Sequence, residues 1–598
     1  MIRLSRRELF VGGATLLVSG LTRADSARPT ITRWRGYAAS PFGQMHFHLA
    51  APAADVDFAT PLVCLHQSPT TGISYREFQD VMAVDRLVLC ADTAGYGNSD
   101  GPTDQATMEG YGSALAAALE ALGFGDNGQG PVDLLGFHTG NFVASEVAIQ
   151  RPDLVRKLVM PGIPYYPASE RRERLGRYAK PRPYFSDPDY VGDSYRSSVL
   201  DSDNGLSPIR KHELFVSRLL SGTRSHLGFA AVAEYAADER LPKIQQPVLL
   251  PILNETLAQP TRDAARLIRD HTLIELPNHD GLAWFLEPEV IAKPTSAFLD
   301  GATPTTHWTP ETAARVATSV TPTTGVRAGT TLRWRHYART RFGQMHFVIA
   351  EPKNRAYRRP LALLHQSPMS GRVFEDLQRT LAADRLVLCP DTAGFGDSDG
   401  PNTPYTMADL GAALNDAVTD LQLDQPLDIF GFHTGSFVTT AAVVQNPALF
   451  GRVILCGVPY YPAEQRQTML AQYLTPYAFL TDPDYVDAMY KNMIPFDGDR
   501  ATQQRQLARF TDRMRAGPKG EWGPRSVFAY DADAGLSAIQ NPTLLMAFNE
   551  VMTEPTRQAR KLMPAADFVE LPDLGMLGFI THPRRVADEI RRYLDTTP

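Results

Sequence analysis

The chain has 598 residues, more than a single hydrophobic core of ordinary size needs, so two domains are expected. Hydrophobic residues make up 43% and charged residues 21%, a balance that excludes a disordered or fibrous protein. With 59 basic and 66 acidic residues the formal net charge is −7, which disfavours nucleic acid or an anionic membrane as the main partner. Four cysteines are too few for a disulfide scaffold, and no Cys/His spacing predicts a structural zinc.

The first 24 residues differ from the rest of the chain. The arginine pair Arg6-Arg7 precedes a short apolar stretch at residues 10–21, which is typical of a twin-arginine export signal. We therefore expect residues 1–24 to be removed and the mature protein to be periplasmic or secreted, with no membrane contact after cleavage. The alternative is an anchor that stays attached.

The remaining chain repeats itself with a period of roughly 300 residues, too long for a solenoid unit. The repeated motifs are Phe42–Phe47 and Phe342–Phe347, His66–Pro69 and His365–Pro368, Asp85–Cys90 and Asp384–Cys389, Gly136–Gly140 and Gly431–Gly435, and Pro164–Ala168 and Pro459–Ala463. This repeat predicts two tandem copies of one domain, at 25–300 and 329–598, joined by a Thr/Pro-rich linker at 301–328. Because duplicated domains often retain an ancestral subunit contact, we expect an intramolecular pseudo-dimer. Further oligomerisation is left open.

Within the first copy, strands and helices alternate. Apolar runs predict buried strands at 61–65, 86–91, 132–135, 247–253 and 272–276, and helices are predicted at 111–122 and 141–150. This alternation predicts the α/β class with a mostly parallel, doubly wound sheet. The turn Gly136–Gly140 lies between a strand and a helix, which is the setting of a nucleophile elbow.

Four features together resemble the α/β-hydrolase superfamily over nearly the whole of both copies. They are the His-x-x-Pro loop at His66, the Asp-Thr-Ala-Gly-Tyr-Gly loop at Asp92, the elbow and the late histidine His279. The resemblance implies two α/β-hydrolase-like domains, with cap insertions at about 164–240 and 459–536. The aromatic residues of the first cap either line a substrate pocket or form the core of the cap itself. They are Tyr165, Tyr166, Tyr184, Phe185 and Tyr190.

The sequence departs from the superfamily at the nucleophile position, which holds His138 in the first copy and His433 in the second. No serine, cysteine or aspartate stands there. Imidazole, with an ordinary pKa near ~6.5, is largely neutral at pH 7 and can attack a carbonyl or act as a general base on water. The alternative is a decayed site that was already inactive when the domain duplicated.

The resemblance also implies an oxyanion hole formed by backbone N–H groups. The implied donors are those of Ser68 and Thr139 in the first copy and of Ser367 and Thr434 in the second. Gln67 takes the place of a glycine, and its amide adds a donor or narrows the pocket.

The two copies differ at the position of the catalytic histidine of the triad. His279 stands where the superfamily carries its catalytic histidine, whereas the second copy has Leu574 there. The nearest carboxylates after the preceding strand are Glu255 and Glu550, and each is either the catalytic acid or a solvated loop residue. The first copy is therefore the better candidate for the active domain, and the second for a structural or binding domain.

These features predict a hydrolase of a small carbonyl substrate, which cleaves an ester, a lactone or a C–C bond next to a carbonyl. A lyase or isomerase could use the same base and oxyanion hole, and a non-catalytic small-molecule binding protein is the other alternative. No cofactor is predicted. A zinc site made by His66, His138, His279 and Glu255 is disfavoured because none of these residues has the short helical spacing of a dedicated ligand pair.

The export signal can be tested by changing the arginine pair. Replacing Arg6-Arg7 with Lys-Lys should leave the precursor in the cytoplasm, because the export route requires both arginines. Cell fractionation and the apparent size of the product measure this. Unchanged export of the Lys-Lys variant would remove the argument.

Overall fold

The structure is a computed structural model, and it describes residues 30–53, 59–102, 107–126, 128–301, 326–328, 331–353 and 358–596. The predicted export signal and most of the predicted linker lie outside these residues. The chain divides at Gly325 into two compact units, named here the first and second unit. Within the described ranges, no helix is long and apolar enough to cross a membrane.

The first unit is built on an eight-stranded sheet with the order β1-β2-β4-β3-β5-β6-β7-β8. Its strands are β1 Ile31–Ser40, β2 Gly43–Pro52, β3 Ala59–Leu65, β4 Arg86–Ala91, β5 Val132–Gly136, β6 Val155–Val159, β7 Val248–Leu253 and β8 His271–Leu276. β2 pairs antiparallel with β1 and with β4, and the other pairs are parallel. β4, β5 and β7 are buried along their whole length, as continuous apolar runs predict for parallel strands covered on both faces.

Helices cover both faces of this sheet and form a cap between β6 and β7. They are α1 Arg76–Met82, α2 Met108–Ala121, α3 Thr139–Gln150, α4 Ala168–Gly176, α5 Tyr190–Tyr195, α6 Pro208–Leu219, α7 Leu227–Glu234, α8 Ala237–Arg240, α9 Ala258–Ala265, α10 Ala283–Leu286 and α11 Pro288–Asp300. Helices α4 to α8 make up the part of the chain between β6 and β7 that is named here the cap.

The second unit has the corresponding strands in the corresponding order, β17-β16-β15-β14-β12-β13-β11-β10, and an additional strand, β9, beside β10. These strands are β9 Val326–Ala328, β10 Thr331–Thr340, β11 Gly343–Pro352, β12 Leu361–Leu364, β13 Val387–Pro390, β14 Leu427–Phe432, β15 Phe450–Cys456, β16 Thr543–Phe548 and β17 Asp567–Leu571. The helices are α12 Glu375–Leu381, α13 Met407–Asp420, α14 Thr434–Gln445, α15 Ala463–Ala471, α16 Tyr485–Met493, α17 Arg500–Ala516, α18 Trp522–Ala529, α19 Ala532–Ser537, α20 Thr553–Ala559, α21 Gly578–Thr581 and α22 Pro583–Leu594. The predicted fold class is confirmed in both units.

A buried aspartate organises the loop after β4. The Asp92 carboxylate accepts hydrogen bonds from the Gly72 and Asn98 backbone N–H groups at 2.8 and 2.9 Å and from His46 Nδ1 at 2.9 Å. Burial lowers the pKa of His46 to about 3, so at neutral pH this ring is an uncharged donor. The second unit contains the same arrangement around Asp391, with His346 Nδ1 at 2.9 Å.

Substituting Asp92 with asparagine should destabilise the first unit by about 2–3 kcal/mol, because an amide cannot accept all three hydrogen bonds and leaves buried donors unpaired. Urea unfolding measures this cost. Asp263→Asn is the control, because Asp263 makes exposed contacts, an ion pair with Arg266 and a hydrogen bond from Gln259 Nε2, and it should cost less than about 1 kcal/mol. Equal costs for the two variants would contradict the structural role of Asp92.

Candidate active site

The elbow histidine of each unit has a strained backbone conformation. His138, between β5 and α3, has φ 50° and ψ −113°, and His433, between β14 and α14, has φ 49° and ψ −115°. A positive φ is uncommon for a residue with a side chain, and such strain is concentrated at functional sites. A Cβ at Gly140 would lie 2.0 Å from the Leu65 carbonyl oxygen, so only glycine fits at that position of the turn.

Each elbow histidine forms a hydrogen bond with a glutamate on the loop after the strand that corresponds to β7. His138 Nε2 lies 2.9 Å from Glu255 Oε2, and His433 Nε2 lies 2.8 and 2.9 Å from the two Glu550 carboxylate oxygens. Because the carboxylate accepts, the ring carries a proton on Nε2, and the neutral form of the ring therefore keeps its lone pair on Nδ1. Among the described residues, Nδ1 has no hydrogen-bond partner in either unit. Each elbow therefore presents a nitrogen that can accept a proton.

Aromatic packing fixes the plane of the elbow ring. The His138 ring lies 4.0 Å from the Phe137 ring, which in turn lies 5.2 Å from Trp284. The His138 side chain is 26% exposed and that of Glu255 is 13% exposed, so solvent reaches the imidazole more readily than the carboxylate. This is the order of exposure that a base facing a substrate requires.

A glycine after β6 makes room for this pair. A Cβ on Gly162, which has φ +65°, would lie 2.5 Å from Glu255 Oε1 and 2.6 Å from His138 Cδ2. Gly457 has the same relation to His433 and Glu550 in the second unit. The sequence analysis did not single out these glycines, although each comes two residues before a repeated Pro-Tyr-Tyr-Pro motif that could have signalled them.

The predicted oxyanion residues lie beside the elbow. The Ser68 N–H donates to Thr139 Oγ1 at a long 3.4 Å, and the corresponding distance from Ser367 to Thr434 is 3.3 Å. Among the described residues, the Thr139 N–H has no hydrogen-bond partner, and it lies at the positive end of α3. Ser68 and Thr139 are thus placed where they can stabilise a developing negative charge.

His66, on the loop after β3, forms a hydrogen bond with each of its two ring nitrogens next to the predicted oxyanion residues. His66 Nδ1 donates to the Gln67 carbonyl at 2.9 Å, and His66 Nε2 accepts the Thr93 N–H at 3.0 Å. Burial lowers the pKa of His66, so the ring is neutral. Since both ring nitrogens are occupied, His66 has none left for a metal ion.

The late histidine does not join the pair by a hydrogen bond. His279 Nδ1 lies 3.1 Å from Glu287 Oε2, a surface carboxylate that is 59% exposed. In the second unit, Leu574 occupies the corresponding position and is buried in the core. Of the three catalytic candidates in the first unit, the structure brings His138 and Glu255 together and leaves His279 paired elsewhere.

Among the described residues, two clusters of side chains have ligand atoms close enough for a cation, one in each unit. They are His46, His48 and Asp92 in the first unit and His346, Asp391 and Asp397 in the second, and in each cluster the ligand atoms lie within 4.8 Å of one another. In the second unit Val348 replaces His48, while the histidine–aspartate hydrogen bond is retained. We therefore interpret the pair as a structural element of the loop.

The cap aromatic residues divide between the two roles considered for them. Tyr184 and Phe185 are buried, and the Tyr184 ring contacts the Tyr190 ring at 5.5 Å, so these three belong to the core of the cap. Tyr165 and Tyr166 are only partly buried and pack on the main core of the unit.

The comparisons with known proteins agree with this fold. Residues 361–589 match the model of the alpha/beta hydrolase family, which supports a hydrolase-like function. Strand order, elbow and cap define both units as α/β-hydrolase-like domains. None of the curated proteins matches this sequence.

Three solved structures similar to this chain each cover less than half of it. A thermophilic esterase from Thermogutta terrifontis is 21% identical, with a TM-score of 0.36, and the match covers 44% of this chain and 98% of the esterase. A hydrolase from Pseudomonas aeruginosa is 20% identical, with a TM-score of 0.36 and coverage of 45% and 100%. An enol-lactonase from Burkholderia xenovorans is 18% identical, with a TM-score of 0.36 and coverage of 44% and 100%.

The role of Gly162 can be tested by adding one methyl group. Gly162→Ala should lower turnover by the first unit at least ~10-fold, because the methyl group displaces both members of the pair. It should also cost about 1–2 kcal/mol of stability from the positive φ. Assays are made in a His433→Ala background, so that only the first unit is measured.

Gly301→Ala is the matched control for this prediction. Gly301 also has a positive φ, +56°, and its Cβ would meet no atom within 4 Å, so this variant places a side chain at a positive φ without touching the pair. If the two variants lose activity equally, backbone strain explains the loss and the steric role of Gly162 is wrong.

Proposed function

We propose that the protein is a hydrolase in which the elbow histidine of each unit activates water, or attacks directly, at the carbonyl of an ester, a lactone or a ketone-type C–C substrate. The hydrogen bond from His138 Nε2 to Glu255 carries this proposal. It leaves a proton acceptor at the turn where α/β-hydrolases place their nucleophile, and the same pair occurs in the second unit.

In this mechanism the backbone of the oxyanion residues, the elbow histidine and its glutamate each have a different role. The substrate carbonyl oxygen lies against the N–H groups of Ser68 and Thr139, and the long Ser68 contact to Thr139 Oγ1 yields to the stronger oxyanion bond. As a general base, Nδ1 of His138 takes a proton from water as the water oxygen adds to the carbonyl carbon, and it returns that proton to the alkoxide or carbanion that leaves. As a nucleophile, Nδ1 displaces the same leaving group to form an acyl-imidazole, which water then hydrolyses to the carboxylic acid. Glu255 holds the tautomer and stabilises the positive ring that forms.

The pair favours activity in both units. The expectation of a single active copy depends on His279, and this residue forms its hydrogen bond with Glu287 rather than with His138. The elbow angles and the histidine–glutamate distance are nearly equal in the two units.

A lyase or isomerase is the second candidate, and one observation favours it. Within the described ranges, each elbow has a proton acceptor next to a backbone N–H without a hydrogen-bond partner, and no hydroxyl group of those ranges is hydrogen-bonded to that acceptor. A base and an oxyanion hole are sufficient to abstract a proton next to a carbonyl. Incubating a carbonyl substrate in deuterated water distinguishes the two, since only proton abstraction labels the carbon without consuming water.

The catalytic assignment predicts a steep loss of activity in the first unit. In a His433→Ala background, His138→Ala should lower kcat/KM for an activated ester at least ~10²-fold, and Glu255→Gln at least ~10-fold. The two effects should be non-additive, because the residues act as one unit. Steady-state kinetics of the single and double variants measure this.

A second histidine of the same unit provides the control. His271, whose Nδ1 lies 2.8 Å from the Ile268 carbonyl oxygen and which is not part of the elbow pair, should be replaceable by alanine without loss of activity. His279→Ala tests the late histidine separately: a loss similar to that of His138→Ala would support its predicted assistance, and full activity would confine the chemistry to the pair. Full activity of His138→Ala would contradict the proposal.

A further inference from the structure

The cap of the first unit is hydrogen-bonded to the loop after β4 through the side chain of Tyr96. The Tyr96 hydroxyl donates to the Ser225 carbonyl oxygen at 3.2 Å and accepts the Gly228 N–H at 2.8 Å. Gly228 belongs to the first turn of α7, and Ser225 comes just before that helix. Since the Tyr96 side chain is buried, its hydroxyl forms a fixed contact between the cap and the sheet domain.

Ser68 meets this contact from the loop after β3. A Cβ on Gly228 would lie 2.4 Å from the Tyr96 hydroxyl oxygen and 2.5 Å from Ser68 Oγ, so both oxygens pack against the same glycine. The two hydroxyl groups are hydrogen-bonded to each other: burial raises the pKa of Tyr96, and this bond opposes the rise. The Tyr96 ring also packs edge-on against the His66 ring, with the ring centres 5.8 Å apart. Tyr96 therefore holds the Ser68 side chain in place.

The position of the Ser68 side chain matters because the Ser68 backbone N–H is a predicted oxyanion donor. This N–H has a long contact, 3.4 Å, to Thr139 Oγ1. A hydrogen bond of that length is weak and does little to fix the direction of the donor. An oxyanion donor must point at the developing charge before the reaction begins. The contact that holds the Ser68 side chain therefore helps to aim its N–H.

The second unit has the same packing without the hydroxyl group. Phe395 takes the place of Tyr96, and its ring centre lies 6.1 Å from that of His365. A Cβ on Gly523 would lie 2.3 Å from Ser367 Oγ and 3.0 Å from Phe395 Cζ. Among the described residues, Ser367 Oγ is buried without a hydrogen-bond partner. The oxyanion serine of the second unit is thus packed like that of the first but is not tied by a hydrogen bond.

We propose that Tyr96 is a positioning residue of the first unit, which aims the Ser68 N–H at the developing oxyanion by holding both that serine and the start of α7. This role rests on the proposed function, because it concerns the same oxyanion hole. It makes the direction of the oxyanion donor depend on the position of the cap. Phe395 provides no such connection in the second unit, so the first unit is expected to have the higher kcat.

Amide hydrogen exchange of the full chain tests this contact without any turnover. Tyr96→Phe removes one oxygen atom and reproduces the packing at Phe395, so the variant is expected to fold. Exchange should become about 10-fold faster at residues 66–71. Tyr235→Phe is the matched control, because the Tyr235 hydroxyl ties the opposite end of α7 to Glu146 at 2.6 Å, and it should leave exchange at residues 66–71 unchanged. Unchanged exchange there in Tyr96→Phe would overturn the positioning role.

Kinetics in the His433→Ala background connect the contact with catalysis. Tyr96→Phe should lower kcat for 4-nitrophenyl butyrate about 10-fold and leave KM within about twofold, because an oxyanion donor acts mainly in the transition state. Tyr235→Phe should change neither constant. In a His138→Ala background, Phe395→Tyr should raise the kcat of the second unit about 3-fold or more, because the added hydroxyl supplies the missing hydrogen bond to the oxyanion serine.

The outcomes separate this role of Tyr96 from the proposed hydrolase function. Hydrolysis with an unchanged kcat in Tyr96→Phe would support the hydrolase and contradict the positioning role. Faster exchange at residues 66–71 without hydrolysis by any variant would contradict the hydrolase and support the hold of Tyr96 on Ser68. An equal loss of kcat in Tyr235→Phe would show that general loosening of the cap controls the rate, and it would overturn the positioning role.

Discussion

The hydrogen bond between the elbow histidine and its glutamate imposes the main constraint on each unit. It joins residues 117 positions apart in both units, and the two belong to strands that are not neighbours, because β6 lies between β5 and β7. The loop after β6 must therefore pass beneath the pair without a side chain. A glycine with positive φ, Gly162 or Gly457, meets that requirement. The strand order, the elbow turn and this glycine are therefore all needed for the histidine–glutamate hydrogen bond.

The same constraint explains why the late histidine is dispensable for this geometry. In the resembling superfamily the acid supports a histidine on the last loop, but here the ring of the elbow residue has already taken that carboxylate. The residue on the last loop is then not needed to hold the glutamate, and it differs between the two units. It carries a surface-paired His279 in the first unit and a buried Leu574 in the second.

Local sequence patterns were sufficient to predict the fold and the elbow turn, but not to identify the residues that contact the elbow histidine. Apolar runs predicted β4 at the observed bounds, and the glycine spacing predicted the turn at His138. Glu255 could not be distinguished from a solvated loop residue, because the direction of a side chain depends on loops whose paths no local pattern encodes. The steric role of Gly162 depends on three separate segments, and so does the Asp92 network, which explains why the sequence indicated neither.

The chemical character of the elbow also determines which reagents can detect it. Fluorophosphonate labels form a stable bond to the oxygen of an elbow serine, whereas the nucleophile position of this turn holds an imidazole, and phosphorylated imidazoles hydrolyse readily. Profiling methods that recognise serine hydrolases by such labels therefore pass over this site even when it is fully folded. Reagents that acylate histidine, such as diethyl pyrocarbonate, are the appropriate class, since the His138 side chain is partly exposed and its Nε2 is engaged by Glu255.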